Sequence, residues 1–305
     1  MIISASRRTD IPSHYSEWFY RRLKKGFVEI TNPYNRKIRK NISLKLSDVD
    51  LIVFWTKNAS PLIKYLSEID DMGYKYFFHY TINNYPANIE PKTPELHKTI
   101  ETLEYLNEKI GKSRIIWRYD PIFFSADTNI GFHQKNFEYL LKKIGPKTDH
   151  LIFSFFDHYP KAMKRIKEKE VSFFNGTEKE LFELKKQMVL FIEDITKQFG
   201  MKAYTCCEEV SDISNKNISN RGCINEEFIK RTFNFEFKGI KDKGQRKLCN
   251  CIKSIDIGAY NTCINNCIYC YAVSNFNTAE KKYIKMDTGS IGMIENKYGQ
   301  LNLFG

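Results

Sequence analysis

The sequence from 254 to 270 reads Ser254-Ile-Asp-Ile257-Gly-Ala-Tyr-Asn-Thr-Cys263-Ile-Asn-Asn-Cys267-Ile-Tyr-Cys270. A short strand-like run, Ser254–Ile257, passes directly into a loop that holds three cysteines. In barrels of parallel strands, the loops at the carboxyl ends of the strands form the active-site face. The place of this strand among the others therefore decides both the fold and the position of the cysteines.

Eight strand-like runs occur along the chain, and helical patterns separate most of them. The runs are Ile2–Ala5, Phe27–Ile30, Leu51–Trp55, Tyr76–Ile82, Arg114–Arg118, Leu151–Phe156, Lys202–Thr205 and Ser254–Ile257. Near-continuous apolar runs are typical of parallel strands that are covered on both faces. The pattern predicts an α/β fold, either a (β/α)8 barrel or a partial TIM-type barrel.

Helices are predicted between these runs from apolar periodicity and from capping residues. They are Ser13–Lys25, Pro61–Met72, Pro94–Ile110, Gly131–Ile144 and Glu178–Phe199. A basic segment, 36–45, is compatible with a small hairpin. No clean linker interrupts the chain, so we expect one catalytic barrel domain over 1–285, with a cysteine-rich part at 206–270, and a flexible tail over 286–305.

The composition favours a polyanionic partner. The 305 residues include 48 Lys and Arg against 36 Asp and Glu, a net charge of +12, and 42% hydrophobic residues, enough for a core. A positive balance favours nucleic acid, although a Lys-, Ile- and Asn-rich proteome gives the same bias. No signal peptide or apolar run of membrane-spanning length is evident. We expect a cytoplasmic protein without a membrane partner.

All eight cysteines lie between Cys206 and Cys270, which favours metal binding over disulfides. The spacing Cys263-x3-Cys267-x2-Cys270 suits a [4Fe–4S] cluster that keeps one iron open for a small molecule. The alternatives are a zinc knuckle or a disulfide scaffold. Zinc sites more often show two C-x2-C pairs or histidine ligands, and no histidine follows His158.

A second set of five cysteines precedes this loop: Cys206, Cys207, Cys223, Cys249 and Cys251. Four of these thiols could bind a second [4Fe–4S] cluster or a zinc ion, because thiolate-rich sites accept both metals. The alternative is a group of buried free thiols that pack as small hydrophobic side chains.

Polar residues that follow the predicted strands are the candidates for catalysis, because they would meet at the active-site face. Arg118 ends the fifth run, Asp120 follows it, and Asp157 follows the sixth run. The alternative for the first two is a structural salt bridge within one turn.

The loop with Tyr269 before its last cysteine resembles the signature loop of radical S-adenosylmethionine (SAM) enzymes. The resemblance implies that SAM chelates the open iron and is cleaved to methionine and a 5′-deoxyadenosyl radical. It also implies an electron donor such as flavodoxin or ferredoxin. In that superfamily the loop follows the first barrel strand, whereas here it follows the eighth. Because these strands are neighbours in a closed barrel, a circular permutation would place the loop at the same mouth.

The permutation implies which residues bind SAM. Arg7, Arg8 and Thr9 follow the strand that corresponds to the one where the superfamily binds the SAM amino group, although the Gly-Gly-Glu often found there is absent. The planar fork of arginine also suits the SAM carboxylate. Polar residues of the next turn suit ribose hydroxyls, and Tyr269 belongs to the loop itself. The candidates in that turn are Thr56, Lys57 and Asn58.

Nearly the whole chain resembles a bacterial family whose radical-SAM-type cysteine cluster stands at the C-terminal end. The segments that carry the resemblance are Ser6–Pro12, Phe54–Asn58, Arg118–Pro121 and Cys249–Ala272. The family pattern places one cysteine and then a glutamate after the seventh strand. This resemblance favours Cys206 over Cys207, so the predicted metal ligands of the second set are Cys206, Cys223, Cys249 and Cys251.

The chain ends in Gln300-Leu-Asn-Leu-Phe304-Gly305. The residues Gln300, Leu301, Leu303 and Phe304 resemble the bacterial motif that binds the sliding clamp of DNA polymerase. The alternative is a tail that folds back onto the barrel.

These features together predict a radical SAM enzyme that acts on DNA, in repair or base modification, and that the clamp recruits. The alternatives are a radical SAM enzyme acting on RNA, a peptide or a small molecule, and a non-catalytic iron–sulfur protein that binds DNA.

Overall fold

A computed structural model describes residues 1–35, 37–210, 213–214 and 217–294. The strands are β1 (Ile2–Ala5), β2 (Phe27–Thr31), β3 (Arg39–Ser43), β4 (Leu51–Thr56), β5 (Tyr76–Thr81), β6 (Ile115–Ile122), β7 (His150–Phe155), β8 (Lys202–Thr205), β9 (Ser219–Asn220) and β10 (Ile255–Asp256). The α-helices are α1 (Ile11–His14), α2 (Ser16–Lys25), α3 (Ser60–Asp71), α4 (Leu96–Ile110), α5 (Ile130–Ile144), α6 (Pro160–Glu168), α7 (Glu178–Gln198), α8 (Glu226–Phe233) and α9 (Phe276–Ile284).

Eight strands form one sheet in the order β10-β1-β4-β5-β6-β7-β8-β9. Every neighbouring pair is parallel, which confirms the prediction of a large parallel sheet in an α/β fold. The strand that delivers the cysteines, β10, lies directly beside β1, with Ile3 opposite Ile255. This is the neighbourhood that the permutation requires.

The second predicted run is not part of this sheet. Phe27–Thr31 pairs with Arg39–Ser43 as an antiparallel hairpin, and β1 pairs directly with β4. Only Val28 of β2 is fully buried, so the run is a half-exposed hairpin strand and not one covered on both faces. The eighth strand of the sheet is instead β9, which the sequence did not predict.

Within the part of the chain that the structure describes, β9 and β10 are the two edges of the sheet. The segments beside these edges are joined by hydrogen bonds. Ile252 N donates to Ile224 O at 3.0 Å, and the side chain of Asn250 donates to Asn220 O at 3.0 Å. The two ends of the sheet are therefore tied together through the cysteine-rich part.

Side chains that alternate along the strands give the sheet two different faces. On the first face, Ile52 and Phe54 pack in a core cluster that includes residues of α2–α5 and α7. On the second face, Leu51 and Val53 pack in a cluster that includes Phe228 and Ile229 of α8. The second cluster also contains the buried cysteines Cys223, Cys249 and Cys251. The cysteine-rich part thus covers one whole face of the sheet.

Helix boundaries follow their capping residues closely. The Thr177 side chain forms a capping box with Glu180 at the start of α7, and Gly26 ends α2 with φ 74°. The predicted helix over 13–25 is divided into α1 and α2 at Tyr15, whose φ of −131° is not helical.

The segment predicted as a flexible tail makes contacts over its first part. Trp18 Nε1 donates to Ser290 O at 2.9 Å, Glu29 N donates to Ile291 O at 2.8 Å, and Met293 is buried. The clamp-like peptide, Gln300–Phe304, lies outside the described residues. None of the helices among the described residues has the length and apolar character needed to cross a membrane.

Candidate metal and cofactor site

A cavity of about 470 Å³ opens at the carboxyl edge of the sheet. All eight cysteines line it, although they come from separate segments of the chain. We call the residues 263–270 the cysteine loop. We call the set Cys206, Cys207, Cys223, Cys249 and Cys251 the thiol ring. The fold thus brings both cysteine sets that the sequence singled out to the wall of one cavity.

The thiol ring is a closed series of sulfur contacts. Cys206 Sγ lies 3.3 Å from Cys223 Sγ and 4.0 Å from Cys207 Sγ. The thiol of Cys249 is hydrogen-bonded to those of Cys207 and Cys251, and Cys251 in turn to Cys223. All five cysteines are free thiols. Residues far apart in the chain therefore form one compact group of sulfur atoms.

Asp10 ties the cysteine loop to two strand ends. Its carboxylate accepts hydrogen bonds from Thr56 Oγ1 at 2.6 Å, from Lys57 N at 2.8 Å and from Asn265 Nδ2 at 2.9 Å. It also accepts from Ser13 N at 3.1 Å and so caps α1. One buried carboxylate therefore sets the positions of three segments that line the cavity.

Asp256 has the same role on the other side of the loop. It accepts hydrogen bonds from Ser6 Oγ at 2.6 Å, Arg7 N at 2.8 Å and Gly258 N at 3.0 Å. A Cβ atom on Gly258 would lie 2.6 Å from Ser6 Cβ, so only glycine fits this close approach. The turn after β1 and the start of the cysteine loop are thus packed directly together.

Arg165 of α6 forms hydrogen bonds with the backbone at the end of the cysteine loop. Its buried guanidinium donates to three backbone oxygens, those of Ile268, Cys270 and Val273. The planar fork of arginine presents several donors in fixed directions, which suits a turn with three unpaired carbonyl groups. The backbone around the last two cysteines is therefore fixed by a side chain from another element.

Two thiols of the cysteine loop, Cys263 and Cys267, have raised pKa values. Burial raises the pKa of Cys263 to about 12, with a further contribution from Asp10. Burial also raises the pKa of Cys267 well above its ordinary value. Metal ligation requires the thiolate, so binding must release protons and must be favoured as the pH rises.

The donor set and the open arrangement fit an iron–sulfur cluster by their chemistry. Among residues 1–35, 37–210, 213–214 and 217–294, no group of three or more His, Cys, Asp or Glu side chains is arranged to hold a metal ion. Thiolates are the usual ligands of iron in iron–sulfur clusters. The cysteine loop and the α/β fold are compatible with iron–sulfur binding.

Arg7 and Arg8, predicted to bind the cofactor, both line the cavity. The Arg7 guanidinium lies 4.8 Å from the centre of the Trp55 ring, and its Nη1 donates to Ser254 Oγ at 3.1 Å. Its Nη2 is buried and has no hydrogen-bond partner in the described part of the chain. Arg8 lies over the ring of Tyr260 at 5.1 Å.

Three of the predicted cofactor residues have structural partners. The Thr9 hydroxyl donates to Ala259 O at 2.8 Å. The Thr56 hydroxyl donates to Asp10 and accepts from Asn58 N at 2.8 Å. Both threonines still reach the cavity wall, whereas Asn58 is not among the lining residues. The structure therefore places these hydroxyls in the framework of the turns.

Lys57 and Tyr269 meet at a buried carboxylate. Lys57 Nζ lies 2.8 Å from Glu90 Oε1, and the Tyr269 hydroxyl donates to the same oxygen. Asn83 Nδ2 donates to it as well, at 2.9 Å. Burial opposes the charge of Lys57, but Glu90 and the nearby Cys267 outweigh it and raise the Lys57 pKa. A fixed positive charge therefore stands beside the middle cysteine of the loop.

The predicted catalytic residues lie at two depths in the cavity. Arg118 Nη2 lies 2.8 Å from Asp120 Oδ2, which is the salt bridge considered as the structural alternative, and Ser154 donates to the same carboxylate group. Burial opposes ionisation of Asp120, but Arg118 outweighs it and lowers the Asp120 pKa. Asp157 is exposed at the rim and pairs with Arg246.

The comparison with protein families agrees with a single unit over most of the chain. A family model described as a domain of unknown function, DUF1848, matches residues 2–272. The chain belongs to the DUF1848 family. No curated protein and no solved structure matches it at a significant level. The DUF1848 match contains both cysteine sets and every strand of the large sheet, and it ends before α9.

Several residues of the site carry no signal in the sequence. Arg165 is an ordinary basic residue of a helix that was not predicted, and Arg246 lies in a polar stretch without a motif. Glu90 follows a proline-rich turn. Asp10 follows the polar residues of the turn after β1, and the position of its partners cannot be derived from spacing. Each of these residues acts on a segment distant in sequence.

Proposed function

We propose that this DUF1848 chain is a radical SAM enzyme, with Cys263, Cys267 and Cys270 as ligands of a [4Fe–4S] cluster. The observation that carries the proposal is the common cavity, because the three loop thiols share it with the polar ends of the strands. A cluster there would supply the electron that splits SAM into methionine and a 5′-deoxyadenosyl radical. We also propose that the sheet is a partial barrel, permuted so that its last strand carries the cluster loop.

The fold supports this proposal in two ways. Strand β10 lies beside β1, so the loop stands next to the turn of Arg7 and Arg8. The helices α2–α5 and α7 all cover one face of the sheet, as the outer helices of a barrel do. In this arrangement Arg7 and Arg8 are the cations available to a carboxylate of the cofactor.

The described side chains would act by binding, orienting and excluding water. Lys57 holds positive charge beside Cys267, while Glu90 fixes both Lys57 and the hydroxyl of Tyr269. The Arg118–Asp120 pair lies across the cavity and presents polar atoms to a substrate. The protein would thus position reactants while the cofactor carries out the difficult chemistry.

DNA is the substrate that we propose, for repair or base modification. The net charge of +12 supports a polyanionic partner. The terminal residues Gln300–Phe304 support recruitment by the sliding clamp, since their pattern resembles the clamp-binding motif.

SAM cleavage is the decisive test. The chain, purified anaerobically, loaded with iron and sulfide and reduced with dithionite, is expected to convert SAM to 5′-deoxyadenosine. Cys267→Ala should reduce this conversion by more than about 100-fold, because the cluster would lose a ligand. Cys207→Ala, in the thiol ring, is the matched control and should retain the conversion. A fully loaded, reduced chain that leaves SAM intact would refute the enzyme proposal.

Two binding measurements test the partner. Fluorescence anisotropy with duplex DNA should show affinity that falls steeply as salt rises, because phosphate contacts release counterions. Deletion of 300–305 should abolish binding to a bacterial sliding clamp and leave SAM cleavage unchanged. Clamp binding that survives the deletion, or DNA binding that ignores salt, would argue for another substrate class.

A further inference from the structure

The thiol ring presents a chemical problem of its own. Cys223, Cys249 and Cys251 are buried, and Cys206 lies against Cys223. Free thiols buried in a core usually pack against apolar side chains. Here they pack in the apolar cluster of the second face but also line a cavity and contact one another, so apolar packing alone does not account for them.

Guanidinium groups surround the ring. Arg118 binds Asp120 through Nε and Nη2, and directs its remaining Nη1 to Cys223 Sγ at 3.1 Å. Arg7 faces Cys223 and Cys251, and its buried Nη2 is left without a partner among the described residues. Arg246 pairs with Asp157 and also faces Cys206 and Cys207.

These donors indicate that the ring carries negative charge when it is occupied. Burying a guanidinium beside neutral thiols is unfavourable, because a thiol is a weak acceptor. Thiolates bound to a metal centre retain negative charge and accept strong hydrogen bonds. Arg118 donates a hydrogen bond to sulfur, and Arg7 has a buried donor without a partner among the described residues. Both arginines therefore fit a thiolate centre better than a group of free thiols.

We propose that Cys206, Cys223, Cys249 and Cys251 bind a second iron–sulfur cluster, distinct from the one proposed for the cysteine loop. Cys206 is preferred to Cys207 because its sulfur atom contacts that of Cys223 directly. An all-thiolate set is the usual ligand set of such clusters. The ring lines a cavity of about 470 Å³, so its thiols have room to separate around a cluster, and bound sulfide would distinguish such a cluster from a zinc site.

The two cysteine sets are held next to each other by the turn after β1. The backbone oxygen of Arg7 accepts from the Tyr271 hydroxyl at 2.8 Å, just after the cysteine loop. The side chain of Arg7 faces the ring. The second cluster would therefore stand beside the first, with one arginine between them.

A variant without the loop ligands isolates the second site. In the full chain carrying Cys263→Ala, Cys267→Ala and Cys270→Ala, anaerobic reconstitution should retain about four iron and four sulfide per chain. Adding Cys251→Ser should remove them, whereas adding Cys207→Ser should not. Circular dichroism checks that each variant is folded. This iron count does not depend on SAM cleavage, so the two proposals can fail separately.

Three outcomes would overturn the assignment. If the triple variant without the loop cysteines binds no iron above background, the ring binds no cluster. One zinc per chain without sulfide would show a mononuclear site. Equal loss of iron in Cys207→Ser and Cys251→Ser would show that the ligand set is wrong.

A variant that keeps all the ring thiols guards against loss of folding. In the triple variant without the loop cysteines, Arg118→Gln removes the guanidinium next to Cys223. The reduced cluster would lose electrostatic stabilisation, so its midpoint potential, followed by electron paramagnetic resonance, should become more negative. An unchanged or more positive potential would contradict the role given to Arg118.

Discussion

The cysteine loop and the thiol ring share one cavity but are assembled in different ways. The loop thiols are close in sequence, and polar side chains from other segments hold the loop: Asp10 binds the Asn265 side chain, Asp256 binds Gly258 N before the loop, and Arg165 binds Cys270 O. The ring thiols come from segments between β8 and β10, and the contact of those segments makes the site.

This difference separates two ways of building a thiolate site. The loop depends on hydrogen bonds from distant polar side chains to a short segment. The ring depends on close packing between Gly222 and the backbone of Asn250 and Cys251, and on the sheet face beneath it. A substitution that removes hydrogen bonds to the cysteine loop should impair metal binding by the loop alone. A substitution that disrupts the packing around Gly222 should impair metal binding by the thiol ring alone.

Asp10→Ala should have the largest effect and should damage the loop. It leaves Thr56, Lys57 N and Asn265 without their acceptor, at a cost of about 4 kcal/mol in the free energy of unfolding. Urea denaturation measures the cost, and the iron count should fall only by the share bound to the loop. Asp127→Ala, at an exposed carboxylate, is the control and should change stability by less than about 0.5 kcal/mol. Similar values for both variants would contradict the role of Asp10.

His133 tests the scaffold that both sites share. Burial lowers the pKa of His133 to about 4, and its ring is bonded to Tyr119 and Phe123 O. The unfolded chain takes up this proton below about pH 6.5, whereas the folded chain resists it until about pH 4. His133 alone should therefore lower the free energy of unfolding by about 3 kcal/mol as the pH drops from 7 to 4, and His150, whose pKa burial also lowers to about 4, should add a contribution of its own.

Urea denaturation of the metal-free chain across this pH range measures the slope. His133→Gln should flatten it, and the exposed His97→Gln should leave it unchanged. Equal slopes in all three proteins would show that His133 does not control acid stability.

Seven of the eight predicted runs lie in the parallel sheet, and the central ones, such as Leu51–Trp55 and Leu151–Phe156, carry the apolar pattern of strands covered on both faces. The sequence pattern placed Phe27–Ile30 wrongly, because a half-exposed hairpin strand shows the same β-branched residues over four positions. It missed β9, since a strand over Ser219–Asn220 is too short and polar to have a pattern.

For the site, spacing identified the cysteine loop, since its ligands are local. The ring could only be proposed as a set, because its geometry depends on α8 and on the contact between distant segments. Arg165 and Glu90 were out of reach for the same reason. Their importance is defined by partners in the cysteine loop, and no local pattern records such pairing.

Gly222→Ala should reduce metal binding by the thiol ring and should not affect metal binding by the cysteine loop. A Cβ at this position would lie 2.7 Å from Cys251 N and closer still to Asn250 O, and a backbone cannot turn away as a side chain can. Overpacking of this kind costs about 2 kcal/mol. When Gly222→Ala is added to the triple variant without the loop cysteines, the protein should therefore bind less iron than the triple variant alone.

Gly131→Ala is the matched control, because its Cβ would approach only Asn129 Oδ1, at 3.4 Å, near the start of α5. It should bind iron normally and gain up to about 1 kcal/mol from helix propensity. Full iron binding by the Gly222→Ala variant would show that this close contact does not support the ring.

Arg165→Lys should have the smallest effect on stability of these substitutions, and it should affect the cysteine loop but not the thiol ring. The substitution keeps the positive charge, but an ammonium cannot reach the oxygens of Ile268, Cys270 and Val273 together. We expect a loss of about 1 kcal/mol in the free energy of unfolding and faster loss of loop-bound iron in air. Arg21→Lys, in an exposed pair with Glu17, should change neither quantity. Because the ring makes no use of Arg165 in the contacts described, its iron should be lost at the wild-type rate. Loss of iron from both sites at the same increased rate would mean that the two sites depend on one common support.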